Sequence, residues 1–276
     1  MEKIATKTKT DEILNKYGLH AMKRFGQNFL IEPNIVENIA ANAVTKDDIC
    51  LEVGPGIGSL TQCLCENAKQ VYAYEIDKKL VPVLKNELKD YSNLEVYLQD
   101  FLELDLDTLP FKDEEIVFVS NLPYYITTPL LFKVIDSDLK IKKMVVMMQK
   151  EVGDRLKAKV NTNDYAALSL ILQDRYQIRE LMKVPSRCYY PRPEVDSVVL
   201  ELMPINERNR EYEKEFYPFL QLCFAQRRKT LRNNLKGHYD NGKLDEAYKE
   251  CGFKDSIRPQ EIELKDYKKF FEVLHD

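Results

Sequence analysis

Five short apolar runs, separated by stretches of helical spacing, constrain this chain more than any other feature. Ile49–Val53, Val71–Ile76, Leu94–Leu98, Ile116–Val119 and Met144–Met148 are each bounded by turn or polar residues, the pattern of buried strands. Between the first two lie Leu60, Leu64 and Ala68, and after the second come Leu80, Val83, Leu84 and Leu88, both at helical intervals. Upstream, PNIVENIAANA at 33–43 predicts a helix with Pro33 in its first turn. Strand and helix alternating over about 100 residues imply an α/β fold, a parallel sheet covered on both faces. Two later runs, Tyr176–Lys183 and Val195–Met203, follow a long helical stretch and predict an antiparallel edge pair. At Pro204 the composition shifts to the charged INERNREYEKE, and beyond it the apolar spacing is helical to the end. The expected division is a sheet domain over 1–204 and a small helical domain over 205–276.

Composition narrows the function classes. No apolar run approaches the ~18–20 residues of a membrane span, and the first residues, MEKIATKTKTDEILNKYG, lack the apolar core of a secretory signal. Six cysteines without a repeated pair spacing point to reduced thiols and a cytoplasmic location. Cys63 and Cys65 are too close for a zinc pair, and His20, His238 and His275 are isolated, so no metal is expected. Nothing in the pattern suggests more than a monomer. The net charge of −4 hides local clusters, which decide where a polyanion docks. Arg227, Arg228, Lys229, Arg232 and Lys236 fall in one ten-residue run without an acid, expected to be a basic helix whose Phe224, Leu231 and Leu235 pack inward. The first 24 residues carry six Lys or Arg against three acids, a candidate basic arm.

The first strand runs into Glu52-Val-Gly54-Pro-Gly56-Ile-Gly58. Glycines at alternate positions allow a tight turn and let a ligand approach the backbone before a helix begins, although an ordinary strand-to-helix turn has the same needs. The spacing differs from the G-x-G-x-x-G of pyrophosphate binders. The second strand ends at Glu75-Ile-Asp77, where a carboxylate suits the two hydroxyls of a ribose. The third ends at Gln99-Asp100-Phe101, an acceptor beside an aromatic, suited to an adenine amine and ring face. Together these favour an adenine nucleoside as ligand.

The fourth strand ends in Ser120-Asn121-Leu122-Pro123-Tyr124-Tyr125. Asn121 offers a carboxamide oxygen, and Pro123 has no N–H while holding the Leu122 carbonyl outward. Two oxygen acceptors beside the Tyr124 ring suit the exocyclic NH₂ of a stacked base.

Those residues, with FGQNFL at 25–30, EVGPGIGSLT at 52–61, EID at 75–77, QD at 99–100, PRPEVDSVV at 191–199 and FAQRRKTLRNNL at 224–235, resemble the ribosomal RNA adenine N6,N6-dimethyltransferase family over nearly the whole chain. Within it, NLPYYITTPLLFK and VDSVV are most similar to the small-subunit (16S) dimethyladenosine transferases. The resemblance implies a seven-stranded, Rossmann-like S-adenosylmethionine-dependent methyltransferase sheet with a small all-helical C-terminal domain. It implies dimethylation of two adjacent adenosines in a hairpin loop near the 3′ end of small-subunit RNA, within pre-30S particles. Carried over, it makes Gln27, Asn28 and Leu30 a cap on the cofactor's methionine part. Gly54, Gly56 and Gly58 become its turn, Glu75 the ribose holder and Asp100 the adenine acceptor, with Asn121 shared by both ligands. The second ring against the target base falls at Tyr189, where many relatives carry Phe; the extra hydroxyl needs a partner. Tyr125 and Tyr190 are expected to pack or form a rim. The rivals are a macrolide-resistance-type methyltransferase of large-subunit RNA and a non-catalytic ribosome-assembly factor.

Overall fold

The computed structural model describes residues 2–19, 27–121, 126–205 and 207–275. The chain divides into two compact units: residues 1–150 with 179–203, and residues 151–178 with 204–276.

The first unit holds most of a seven-stranded sheet. Its strands are β2 (Ile49–Val53), β3 (Gln70–Glu75), β4 (Leu94–Leu98), β5 (Glu115–Asn121), β6 (Lys140–Gln149), β7 (Tyr176–Val184) and β9 (Ser197–Pro204), in the order β4-β3-β2-β5-β6-β9-β7. The five strands from β4 to β6 run parallel, and β9 joins β6 antiparallel. β9 and β7 are neighbours at that edge, as the apolar runs predicted. The chain winds outward from β2 to β4, then returns to lay β5 on the other side of β2. That reversal opens a crevice at the carboxyl ends of β2 and β5.

Local sequence explains the flanking helices. α2 (Pro33–Ala43) starts with Pro33 in its first turn and buries Val36, Ile39, Ala40 and Ala43, spaced for one helix face. α3 (Ser59–Asn67) follows the glycine turn and α4 (Leu80–Glu87) follows β3, as their spacing predicts. α5 (Thr127–Asp136) connects β5 to β6. A two-residue strand, β1 (Phe29–Leu30), pairs antiparallel with β8 (Tyr189–Tyr190).

The chain's first residues differ from the expected arm. α1 (Lys7–Lys16) is capped by the Thr6 hydroxyl, which accepts from Lys9 N at 3.1 Å, and it buries Thr10, Ile13 and Leu14. The lysines of this segment are paired within the unit: Lys3 with Glu37 and Glu66, Lys7 with Asp11, Lys9 with Glu2 and Glu12, and Lys16 with Glu87. Lys23 and Arg24 lie outside the described residues.

The second unit holds α7 (Ala167–Arg175), most of α6 (Lys150–Leu156), α8 (Arg210–Cys223), α9 (Leu231–Leu235), α10 (Asn241–Cys251) and α11 (Leu264–His275). A contiguous split at 204 therefore needs correcting, because residues 151–178 pack with the C-terminal helices. Asp174, buried beside α8, pairs with Lys268 of α11 at 2.5 Å. Glu213 of α8 is held between Arg175 and Arg208, and the Tyr165 hydroxyl donates to the Ile262 carbonyl at 3.0 Å. Around these polar ties Phe216, Phe219, Phe270 and Phe271 form an aromatic core.

Candidate active site

The crevice in the first unit holds a cavity of about 270 Å³. Gln27, Asn28 and Leu30 line it from β1 and the residues before it, Gly54 and Gly56 from the turn after β2, and Glu75 from the end of β3. Asp100 and Phe101 line it beyond β4, Asn121 at the end of β5, and Tyr189 from β8. Sequence positions more than 150 residues apart thus converge on one space. Leu122 and Tyr124 fall outside the described residues.

The turn works through backbone conformation. Gly54 and Gly56 have φ of 74° and 63°, the left-handed region that disfavours a Cβ. At Gly56 an added Cβ would also come within 3.4 Å of the Phe29 ring. Gly58 is different: it is not among the residues lining the cavity. Its φ is 95°, and a Cβ there would lie 2.9 Å from Leu88 Cδ1, so this glycine lets α3 start close against α4.

Glu75 is fixed by the backbone. Its Oε2 accepts from Gly56 N at 3.1 Å and its Oε1 from Asp77 N at 2.9 Å. Burial nonetheless pushes its pKa up to about 7, against those two hydrogen bonds. Asp100 accepts from Leu102 N at 2.9 Å, turning the chain after β4.

Three groups escaped the sequence reading. Glu52 lines the cavity, and burial pushes its pKa up to about 8, with the nearby Thr61 hydroxyl countering this only in part. Among the described residues, Glu52 Oε2 and the buried Ser59 hydroxyl, also on the cavity, have no hydrogen-bond partner. Asp77, almost fully buried, accepts from Gln27 Nε2 at 2.9 Å. An acid closing an otherwise apolar central strand was the available signal for Glu52.

Tyr189 and Asn121 meet through Met147. Asn121 is the register partner of Met147 on the parallel β6, and the Tyr189 hydroxyl donates to Met147 Sδ at 3.0 Å. The thioether thus satisfies the hydroxyl that Phe would lack, and the Tyr189 ring is only 3% exposed.

These groups fit S-adenosylmethionine. A buried carboxylate oxygen without a partner among the described residues suits a cationic amino-acid end, Glu75 a diol, and Asp100 with Phe101 an adenine, around a turn whose Gly54 and Gly56 present bare backbone.

In the second unit the basic run is not one helix. Residues 224–229 form turns and a bend, and α9 starts afresh with Thr230 as its cap. Buried Asn234 enforces the break: its Oδ1 accepts from Gln226 N, and its Nδ2 donates to the Cys223 and Gln226 carbonyls. Leu231 and Leu235 are fully buried, and Phe224 is half-buried against Tyr165 and Tyr267. Arg232 pairs with Asp245 at 2.7 Å and Asp255 at 2.9 Å, over the Tyr248 ring. Arg227 donates to the Thr162 carbonyl at 2.9 Å, while Arg228, Lys229 and Lys236 are exposed.

The family model of ribosomal RNA adenine dimethylases matches residues 18–276. The chain is 41% identical over 275 residues to the ribosomal RNA small subunit methyltransferase A of Oceanobacillus iheyensis, covering 96% of this chain and 94% of the relative. It is 36% identical to the protein of that name from Clostridium acetobutylicum, over 96% of this chain and 98% of the relative. Among solved structures, a dimethyladenosine transferase from Plasmodium falciparum aligns with a TM-score of 0.71 at 27% identity, over 87% of this chain and 95% of that one. The 23S rRNA methyltransferase ErmE aligns with the same TM-score at 26% identity, over 90% and 100%. The chain belongs to the ribosomal RNA adenine dimethylase family and is an rRNA adenine dimethyltransferase that takes its methyl groups from S-adenosylmethionine.

Proposed function

We propose that this enzyme dimethylates N6 of two adjacent adenosines in the 3′-terminal hairpin loop of small-subunit ribosomal RNA, acting as a cytoplasmic monomer on pre-30S particles. The observation that carries the choice of subunit is the near-full-length identity of 36–41% to relatives named small subunit methyltransferase A. Among the described residues no helix is long and apolar enough to cross a membrane.

The adenine N6 lone pair is delocalised into its ring, so it attacks poorly until its geometry is changed. Asn121 Oδ1 and the Leu122 carbonyl accept the N6 hydrogens and aim the lone pair, a positioning effect worth several kcal/mol. S-adenosylmethionine supplies a methyl already activated by the sulfonium charge. Tyr189 and Tyr124 flank the flipped base, each stack returning ~1–3 kcal/mol against the cost of leaving the loop. Glu75 takes the ribose hydroxyls, Asp100 the adenine amine, and Gln27, Asn28 and Leu30 cover the methionine end. Arg227, Arg228, Lys229 and Lys236 meet RNA phosphates; the ion pairs of Arg232 support a structural part for that side chain.

The test is methyl incorporation from labelled S-adenosylmethionine into ribosomal subunits lacking the modification. N6,N6-dimethyladenosine in small-subunit RNA alone is the expected result. Label in large-subunit RNA alone would assign the enzyme to the other substrate. RNA binding without label in either would leave an assembly role.

A further inference from the structure

A line of hydrogen bonds runs behind the cavity wall from the glycine turn to the segment before β1. Gly56 N donates to Glu75 Oε2, Asp77 N donates to Glu75 Oε1, and Gln27 Nε2 donates to Asp77 Oδ2. Asp77 does not line the cavity; its 5% exposure and its bonds to Glu75 and Gln27, which do, place it one layer behind. We infer that Asp77 is a positioning residue, whose carboxylate fixes the Gln27 carboxamide and so ties the cap over one end of the cofactor to the ribose-binding end of β3.

The cap needs such a tie. Gln27 and Asn28 precede a strand of only two residues, Phe29 and Leu30, whose ladder partner is β8 and whose side chains are buried. Two ladder residues fix little against the ~1–2 kcal/mol of entropy that each ordered backbone residue costs. Asp77 supplies a polar anchor for the Gln27 side chain from a rigid source. Its own backbone and side chain begin α4: Oδ1 accepts from Lys79 N at 3.0 Å and its carbonyl from Leu80 N at 2.9 Å. A carboxylate only accepts, so it selects one orientation of the Gln27 amide, Nε2 toward Asp77. The bond is charge-assisted and partly shielded from water, which strengthens it over a neutral pair.

The inference rests on reading the cavity as the cofactor site, and a polarity swap tests the two separately. Asp77→Ala is uninformative alone, since it also removes the start of α4. Asp77→Asn keeps an oxygen for Lys79 N and presents an amide to residue 27. Gln27→Glu alone sets two carboxylates face to face. Gln27→Glu with Asp77→Asn restores one donor and one acceptor with their roles exchanged. S-adenosylhomocysteine affinity by calorimetry, and hydrogen exchange of the residue 28–30 amides without ligand, are the readouts.

Gln27→Glu is expected to weaken affinity by about 10-fold or more and to speed exchange at 28–30, and the double variant to recover most of both losses. A double variant no better than Gln27→Glu in either readout would overturn the role of Asp77. Failure of the unaltered protein to bind S-adenosylhomocysteine would instead overturn the reading of the cavity.

Discussion

Replacing Glu75 by glutamine separates what the fold pays for this carboxylate from what the ligand gains. Burial raises its pKa from 4.5 in the unfolded chain to about 7 in the folded protein. Folding therefore takes up a proton between those values, and stability falls as pH rises through the window. Each pH unit inside it contributes ~1.4 kcal/mol, so about 2 kcal/mol is lost between about pH 5.5 and about pH 7, with little further change by about pH 8. Glutamine has no charge to bury and escapes this loss. It offers one oxygen where two backbone N–H groups, of Gly56 and Asp77, now find acceptors, a pH-independent cost of ~1–3 kcal/mol. The difference between the two proteins cancels the titrations that the Glu75 charge does not touch, and the Glu52 carboxyl, which that charge also raises, shifts the result the same way. Urea unfolding followed by far-UV circular dichroism, at the two ends of that range, should show Glu75→Gln gaining about 2 kcal/mol on the unaltered protein as pH rises. At about pH 8 the same variant should bind S-adenosylhomocysteine ~10–100-fold more weakly, through loss of a charged acceptor for the ribose. A stability difference constant to within ~0.5 kcal/mol across the range would refute the argument that Glu75 is buried at a cost in charge.

Other expectations follow from the same geometry. Gly58→Ala should lose about 2–5 kcal/mol in urea unfolding, combining positive-φ strain with overpacking on Leu88, while the folded fraction keeps cofactor affinity within a few-fold. Lys229→Ala should reduce the slope of log affinity for RNA against log salt by about 1, whereas Arg232→Ala should leave the slope unchanged and cost ~1 kcal/mol of stability. Tyr189→Phe removes the bond to Met147 and should cost ~0.5–1 kcal/mol, with methyl transfer kept within a few-fold because the ring remains.

Much of the catalytic half is legible because its signals are local. Ile49–Val53 and Leu94–Leu98 read at their observed bounds as apolar runs between turn residues, and Pro33 marks the start of α2. Gly54, Gly56, Glu75, Asp100 and Asn121 were found as strand-end residues, where an open α/β sheet gathers its ligand groups. What was not legible depends on partners distant in sequence. The first residues looked like a polar arm because Ile4, Ile13 and Leu14 are sparse, and hydrophobic neighbours distant in sequence, Phe29, Ile57 and those on α4, make them a buried face. Residues 151–178 could not be assigned to the second unit without knowing that Asp174 meets Lys268. Gln27 finds Asp77 fifty residues away, and Tyr189 finds Met147 forty-two away. Glycine spacing alone could not show that Gly58 faces helix packing while Gly54 and Gly56 face the cavity.

The central claim is that transfer occurs at Asn121. The most direct test pairs two measurements on Asn121→Ala: S-adenosylhomocysteine affinity, and single-turnover methyl transfer to small subunits lacking the modification. The account predicts affinity within about 10-fold of the unaltered protein and transfer slower by about 100-fold or more, the loss of a group that acts in the transition state. Transfer at the full rate, with dimethyladenosine formed as before, would contradict it.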